Sequence, residues 1–573
     1  MIIGLDVGGT HTDVVLLGDE GLHKQTKVPT DPTNLFDTVV KGLDAVMQDT
    51  EPGNIERLVL STTLTTNAII QNKIPQVGMI VTGGPGINPE CHRIGEHYYA
   101  VGGTIDHRGR EIDPVNTAEI KSFSKKMKSA GIAHVGVVGK FSTRNSNHEM
   151  QILAVLRDDF DVVFLGHQVS GELNFPRRIA TTYLNAAVFP IHRDFFQAIE
   201  RSLTAKGLNV PIRILKADGG SVHFKSSIDF PVQTILSGPA ASVMGATAFA
   251  GKERETLVLD IGGTTTDMAV LVNGIPLLDP AGIGIGPYRT LIRSLETHSV
   301  GIGGDSEVSV VDGTIRIGPE RKGPALAHGG PVPTPTDALF VMGKIDNGNR
   351  NAAVKGFKPI ALEMGLSVKA AAKQVFDYTC KMILLEAGGM IARINGKPVY
   401  TVHEMLEGHQ VRPRELLVLG GPAPYFAECI TDLSDFDVRV VPRWEVANAI
   451  GAGLSRTTSE VVLYADTERN LATAPEEHFS RRVNKTFSKK DAIALAFDLL
   501  KAKALSKGAN PDYLEMEVVE DLEFNMVRGF FTTGKNIRVK VQVKPGLIHG
   551  YDEMVRNIIS SDITGACNAV GKT

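Results

Sequence analysis

The sequence predicts an α/β protein made of two related lobes, with a small α+β domain appended after them. Three observations carry that expectation. One segment recurs at roughly half-chain separation, apolar strand-like runs alternate with amphipathic stretches of helical length, and the chain changes character after Arg456.

The recurrence is the most informative feature. Leu5-Asp-Val-Gly-Gly-Thr-His-Thr-Asp-Val-Val-Leu-Leu17 returns as Leu259-Asp-Ile-Gly-Gly-Thr-Thr-Thr-Asp-Met-Ala-Val-Leu271, an offset of 254 residues with eight of thirteen positions identical. That spacing reads as two lobes rather than a solenoid, whose repeats run about 20–50 residues. Each copy is an apolar strand, a Gly-Gly turn flanked by Thr and Asp, and a second apolar strand; so short an interval makes a hairpin. Strands are also expected at Leu58–Leu60, Gly78–Val81, Val135–Val138, Val162–Leu165 and Leu416–Leu419. Helical stretches between them imply largely parallel sheets. The Gly/Pro-rich stretch from Gly318 to Pro335 reads as a long surface loop. Beyond Arg456, a helix is expected from Lys489 to Ser506 and strands at Leu514–Val519 and Ile537–Val543. The resulting division is 1–190 for the first lobe, 191–457 for the second and 458–573 for the appended domain.

Composition narrows the function classes. The 573 residues carry 60 Lys plus Arg against 64 Asp plus Glu, a net charge of −4, with 42% hydrophobic, 22% charged and 6% aromatic residues. These values suit a globular protein and fit neither disordered nor fibrous chains. With no dense basic block, neither nucleic acid nor an anionic membrane is the expected partner, and a small-molecule substrate is. The four cysteines, Cys91, Cys380, Cys429 and Cys567, are widely spaced in sequence, which fits a reducing cytoplasm. The opening Met1-Ile-Ile-Gly-Leu-Asp6 reads as a strand rather than a secretory leader.

The repeated turn has a chemical logic. Gly8 and Gly9 let backbone N–H groups approach an anion, Thr10 and Thr12 add hydroxyl donors, and His11 and Asp13 flank them. Asp6 cannot face phosphate directly; at a strand end its natural role is to hold Mg²⁺ against phosphate oxygens. The second copy supplies Asp260, Gly262, Gly263, Thr264, Thr265 and Asp267. Matching Asp and Thr offsets in both copies exceed what a hairpin turn requires. A third element, Leu416–Leu419 running into Gly420-Gly421, leaves room for a flat nucleoside against the backbone. The terminal Gly565…Gly571-Lys-Thr573 run has five residues between its glycines and no following helix, so it is not a Walker loop.

In the order hairpin, hairpin, strand-Gly-Gly, these elements resemble the actin, hexokinase and heat-shock chaperone superfamily, whose lobes are duplicated ribonuclease H-like units. Within it the chain more closely resembles the hydantoinase/oxoprolinase family, specifically its ATP-binding A-type subunit. Ser61-Thr-Thr-Leu-Thr-Thr-Asn67, Phe141-Ser142 with His148-Glu149, Gly171-Glu172 with Thr181-Thr182 and Asn185-Ala186, Leu236–Ala241, and Ser299-Val-Gly-Ile-Gly303-Gly304 carry that likeness. The resemblance implies ATP and Mg²⁺ as cofactors and Asp6 and Asp260 as catalytic, metal-holding residues. It implies phosphate contacts from the two turns together with Gly303, Gly304, Gly420 and Gly421, and substrate contacts from Thr63, Asn67 and Glu172. The implied activity is ring-opening hydrolysis of a cyclic amide, of hydantoin or 5-oxoproline type, through phosphorylation of the amide oxygen. A B-type hydantoinase subunit and an oligomeric assembly are the implied partners. An ATP-dependent carboxylase subunit, a small-molecule kinase and an actin-like nucleotide switch remain alternatives. The chain departs from the family at His11, where an aromatic residue is usual, and around Phe524–Gly529, which lacks an Arg-Tyr-x-Gly-Gln pattern. His148-Glu149 is expected at the surface rather than in a metal cluster, and Arg177-Arg178 reads equally as an anion partner or a solvated helix start.

Overall fold

The computed structural model describes residues 1–31, 33–279, 282–396 and 410–570; the terminal Gly571-Lys-Thr573 lies outside the described residues. The two copies of the repeat form equivalent antiparallel hairpins. Strand Ile2–Val7 pairs with His11–Gly18, and strand Glu255–Ile261 with Thr266–Val272. Each first strand also pairs in parallel on its other side, Ile2–Val7 with Arg57–Thr62 and Glu255–Ile261 with Glu415–Leu419. The lobe sheets are therefore mixed, because a hairpin forces antiparallel pairing on one flank while helical crossovers make the other parallel. Among the described residues, only the four-stranded sheet built from Gly78–Thr82, His97–Val101, His134–Gly139 and Val162–Leu165 is wholly parallel.

Residue 190, where the sequence reading divides the lobes, falls inside the helix Phe175–Ala205, and the next strands, Ile212–Leu215 and Ser221–His223, complete the first lobe's sheet. Beyond residue 457, a five-stranded antiparallel sheet packs on the helix Lys489–Ser506, whose Ala492, Ala496, Leu500 and Ala504 are buried against it. The last helix, Tyr551–Val570, returns to the lobes, where Val555 and Ile558 join their shared core. The stretch from Gly318 to Pro335 is irregular apart from the short turn Leu326–His328. Among the described residues, no helix is long and apolar enough to cross a membrane. Cys380 and Cys429, distant in sequence, come together as buried free thiols.

What positions the site is a seam of small residues between the lobes. Helices Ser237–Phe249 and Ala447–Leu454 cross where Gly451 touches Gly245; a Cβ on Gly451 would stand 2.1 Å from the Gly245 nitrogen. The second helix also lies on the first sheet, since a Cβ on Gly4 would sit 2.1 Å from the Ala449 carbonyl oxygen. No side chain fits at either crossing, so the lobes meet backbone to backbone and their hairpins are held at short range.

Candidate active site

Asp6 ends its strand opposite Asp13 and beside Ser61, while Asp260 ends the equivalent strand opposite Asp267 and beside Leu419. Cross-strand partners share a face of a sheet, so each hairpin presents two carboxyls together. The turns close with the same hydrogen bond: Gly8 N–H donates to the His11 carbonyl at 3.0 Å and Gly262 N–H to the Thr265 carbonyl at 2.9 Å. Space beside Gly9 is open, and Gly9, Thr10 and His11 are exposed. Thr12 is instead buried, its hydroxyl 3.0 Å from that of Thr30, so it braces the hairpin from inside.

Residues from the opposite lobe and from the seam anchor these carboxyls. Asn448, on helix Ala447–Leu454, donates to Asp6 Oδ2 at 2.6 Å, and Ser242, on helix Ser237–Phe249, donates to Asp260 Oδ2. Lys27 pairs with Asp13 at 2.7 Å and also donates to the Glu445 carbonyl at 2.9 Å, tying the first hairpin to the second lobe. Burial pushes Asp6 up to about 7, with Asp13 and Asp260 adding repulsion and the neighbouring Ser61 hydroxyl and the Asn448 amide opposing it. Burial, then Asp260, pushes Asp267 up to about 7. Asp13 and Asp260 are raised by burial as well, with Lys27 working against the shift in both. The buried Asp6 Oδ1 has no hydrogen-bond partner. Crowded carboxyls held above their ordinary range mark a place that favours a cation.

The glycines of the second lobe pack as one unit. Gly304 N–H donates to the Gly262 carbonyl at 2.9 Å, and Asp305 N–H to the Gly263 carbonyl at 2.6 Å, so the Gly303-Gly304 segment lies directly on the second turn. Gly420 adopts a φ of +96°, and a Cβ there would stand 2.3 Å from the Ile261 carbonyl oxygen and 2.6 Å from Asp260 Oδ1. Gly421 opens onto free space. Thr63 begins the helix Leu64–Ile70 next to the first turn, its hydroxyl donating to the Val7 carbonyl at 3.3 Å, and Asn67 donates to Thr63 Oγ1 at 3.2 Å. Glu172 lies apart from these residues; it accepts two bonds from Arg538 at 2.7 and 2.8 Å in an ion pair with the C-terminal domain.

Two readings from sequence are corrected. His148 and Glu149 are buried rather than superficial, because Glu149 accepts from the backbone N–H groups of Gly139 and His167 and from His167 Nδ1. Arg178 is neither an anion partner nor solvated: it is fully buried and donates to the carbonyls of Glu172, Gly139 and Lys140. The residues missed from sequence are Asn448, Ser242, Lys27 and Arg321. Arg321 sits in the Gly/Pro-rich stretch, donates to Asp305 at 3.1 Å and, with Lys27 and after burial itself, depresses the pKa of His11. The Gly/Ala run from Ala447 to Gly453 was the one legible signal, since such a run marks a close helix crossing.

Comparison with known proteins shows the family of the chain. The model of the hydantoinase/oxoprolinase N-terminal region matches residues 2–160, and the hydantoinase/oxoprolinase model matches residues 178–461. The chain is 26% identical over 417 residues to caprolactamase subunit alpha of Pseudomonas jessenii, covering 65% of this chain and 60% of that one. It is 27% identical over 394 residues to the acetophenone carboxylase gamma subunit of Aromatoleum aromaticum (60% and 53%) and 23% identical over 544 residues to 5-oxoprolinase of Saccharomyces cerevisiae (80% and 41%). The chain thus spans about half the length of these curated relatives. The crystal structure of ATP-dependent caprolactamase from Pseudomonas jessenii superposes with a TM-score of 0.72 at 19% identity, covering 96% of this chain and 88% of that one. With two equivalent hairpin turns and family matches along most of its length, this chain belongs to the hydantoinase/oxoprolinase family.

Proposed function

We propose that this chain is the nucleotide-using part of an ATP- and Mg²⁺-dependent enzyme that opens a cyclic amide of hydantoin or 5-oxoproline type, through phosphorylation of the amide oxygen. The observation that carries the reading is the pair Asp6 and Asp260: buried carboxyls from two equivalent turns, close enough for each charge to act on the other lobe's hairpin. The site fits the cofactor. Asp6 Oδ1 is buried without a partner, and the turns keep open space at Gly9 and Gly421. Among the described residues, no three His, Cys, Asp or Glu side chains form a ready-made metal cage. Mg²⁺ takes one or two carboxylates and completes its shell with water and phosphate.

Bound Mg·ATP supplies divalent charge and a transferable phosphoryl group. Asp6 and Asp260 would hold the metal. The backbone of Gly8–His11 and Gly262–Thr265 would receive phosphate oxygens, and Gly420 and Gly421 would leave a wall for the nucleoside. The benefit lies in the substrate: a lactam carbonyl is resonance-stabilised and its oxygen leaves poorly. Once that oxygen carries a phosphoryl group, water adds to the ring carbon and the C–N bond breaks. A second water then releases phosphate with the former amide oxygen. A B-type subunit would complete the enzyme, in keeping with a relative named as a subunit alpha.

The test is a lactam labelled with ¹⁸O at its carbonyl, assayed with and without a B-type partner. The expected result is substrate-stimulated ATP cleavage with ¹⁸O in the inorganic phosphate; label retained entirely in the carboxylate product refutes the mechanism. The likeness to an acetophenone carboxylase subunit favours one second reading, ATP-dependent carboxylation. Stimulation by a ketone with bicarbonate, and by no cyclic amide, would establish that reading instead.

A further inference from the structure

The segment that carries Arg321 is pinned on the second lobe. Gly318 N–H donates to the Glu307 carbonyl at 2.9 Å, Glu307 N–H donates to the Glu320 carbonyl at 3.0 Å, and Lys322 pairs with the Glu307 carboxylate at 2.9 Å. These bonds close the base of the hairpin made by Val308–Val311 and Thr314–Ile317, so Arg321 leaves a fixed backbone. Its guanidinium stands at the second Gly-Gly turn. Arg321 Nη2 donates to Asp305 Oδ2 at 3.1 Å, Asp305 N–H donates to the Gly263 carbonyl at 2.6 Å, and the same Oδ2 lies 2.8 Å from where a Cβ on Gly263 would stand. One hydrogen bond therefore separates the guanidinium from an atom that abuts the turn.

The same pair reaches the other lobe. Burial, then Lys27 and Asp13, act on the His11 imidazole of the first turn, and so do Arg321 and Asp305. Arg321 is thus within electrostatic reach of both turns, and it holds donors in reserve. Lys27, by contrast, is committed to Asp13 at 2.7 Å and to the Glu445 carbonyl at 2.9 Å. A guanidinium carries five N–H donors in a planar fork. Arg321 uses Nη2 on Asp305, while its Nε is buried with no hydrogen-bond partner, on a side chain that is still 27% exposed. An idle buried donor costs stability that an incoming anion restores. The turns supply the need for a cation, since Asp6, Asp13 and Asp260 already repel one another there and a magnesium-bound triphosphate adds further negative charge.

We propose that Arg321 is a catalytic residue for phosphoryl transfer, its free N–H groups binding the terminal phosphoryl group of ATP, with Asp305 as the positioning residue that aims the fork. The inference rests on the ATP-using reading of the site and is independent of which acceptor receives the group. Arg321 gives and takes no proton. It stays a cation while the phosphorus–oxygen bond to ADP breaks and a bond to the acceptor oxygen forms, and its fork meets the charge spread over the equatorial oxygens. A planar fork suits that task better than a point charge, because it can hold two of those oxygens at once.

The test is calorimetry on the full chain in Mg²⁺, with ADP and with the non-hydrolysed ATP analogue AMPPNP, alongside steady-state ATP cleavage. Wild type should bind AMPPNP more tightly than ADP. Arg321→Ala should raise the AMPPNP Kd by about tenfold and leave the ADP Kd within about twofold. It should lower kcat by about a hundredfold or more while raising KM for ATP by no more than about tenfold. Arg321→Lys keeps the charge and loses the fork, so it should fall between the two, and it carries the same comparison if the alanine variant does not fold. An ion pair that only braces the loop gives a lower thermal transition and an equal loss of both nucleotides; that result, or an AMPPNP preference that survives the substitution, overturns the proposal. Binding of neither nucleotide by wild type overturns it together with the ATP reading. Loss of the AMPPNP preference in the variant, with no cyclic amide stimulating the wild type, leaves Arg321 standing and removes the lactam reaction. Lactam-stimulated cleavage undiminished by Arg321→Ala does the reverse.

Discussion

Replacing Asp6 by Asn should make the nucleotide-free protein more stable above neutral pH while abolishing its turnover. The carboxyl is 4% exposed and burial pushes it up from its ordinary 3.8 to about 7. Because the folded-state value lies above the unfolded one, the native protein keeps a proton that the unfolded chain has already lost. Stability therefore falls as pH rises from about 4 to about 7, by about 1.4 kcal/mol per unit, and levels off above that at a cost of about 4 kcal/mol. Asn has no charge to bury and can still accept from Asn448. The variant should gain little at pH 4 and about 2–4 kcal/mol at pH 8, or several degrees for a lobe-sized unfolding unit. Thermal unfolding at pH 4, 6 and 8 reads this directly. Mg·ATP should raise the wild-type transition and leave that of Asp6→Asn nearly unmoved, since the removed charge is the one that holds the metal. A variant less stable than wild type at pH 8, or one that still turns over ATP, would refute the argument that Asp6 is a strained, cation-seeking carboxylate.

Asp260→Ala should lower ATP turnover by about a hundredfold or more with unchanged circular dichroism, because it removes a metal-holding carboxylate and frees only the Ser242 hydroxyl. His11→Phe should retain nucleotide binding within about tenfold, measured by calorimetry, since His11 is exposed and the turn's backbone forms the cradle. Gly420→Ala should destabilise by about 1–3 kcal/mol or more and lose turnover, its Cβ meeting the Ile261 carbonyl at 2.3 Å from a left-handed φ, whereas Gly421→Ala, facing open space, should change stability by less than about 1 kcal/mol. Denaturant midpoints of the two glycine variants distinguish these outcomes.

The family, the two-lobed fold and the two turns were legible in the chain itself, because a strand ending in Asp-x-Gly-Gly-Thr is a local device: its glycines, hydroxyls and carboxylate act within a few residues of one another. Duplication made the device visible twice. The helix Lys489–Ser506 was equally readable, since a Ser488/Asp491 capping box and a spaced apolar face are local too. Local pattern does not say what a folded surface meets. Asn448 reaches Asp6 across 442 residues of sequence, Lys27 bridges to Glu445, and Gly4 is required only because the Ala449 carbonyl lies where its Cβ would stand. Likewise Arg178 beside Arg177 looks like a solvated pair until the fold buries one of them among three carbonyls. Chemistry carried by neighbours along the chain can be read from order and spacing. The pKa of a carboxyl, the partner of a buried cation and the position of one lobe against the other arise from desolvation and packing between distant segments, and only the tertiary structure sets those.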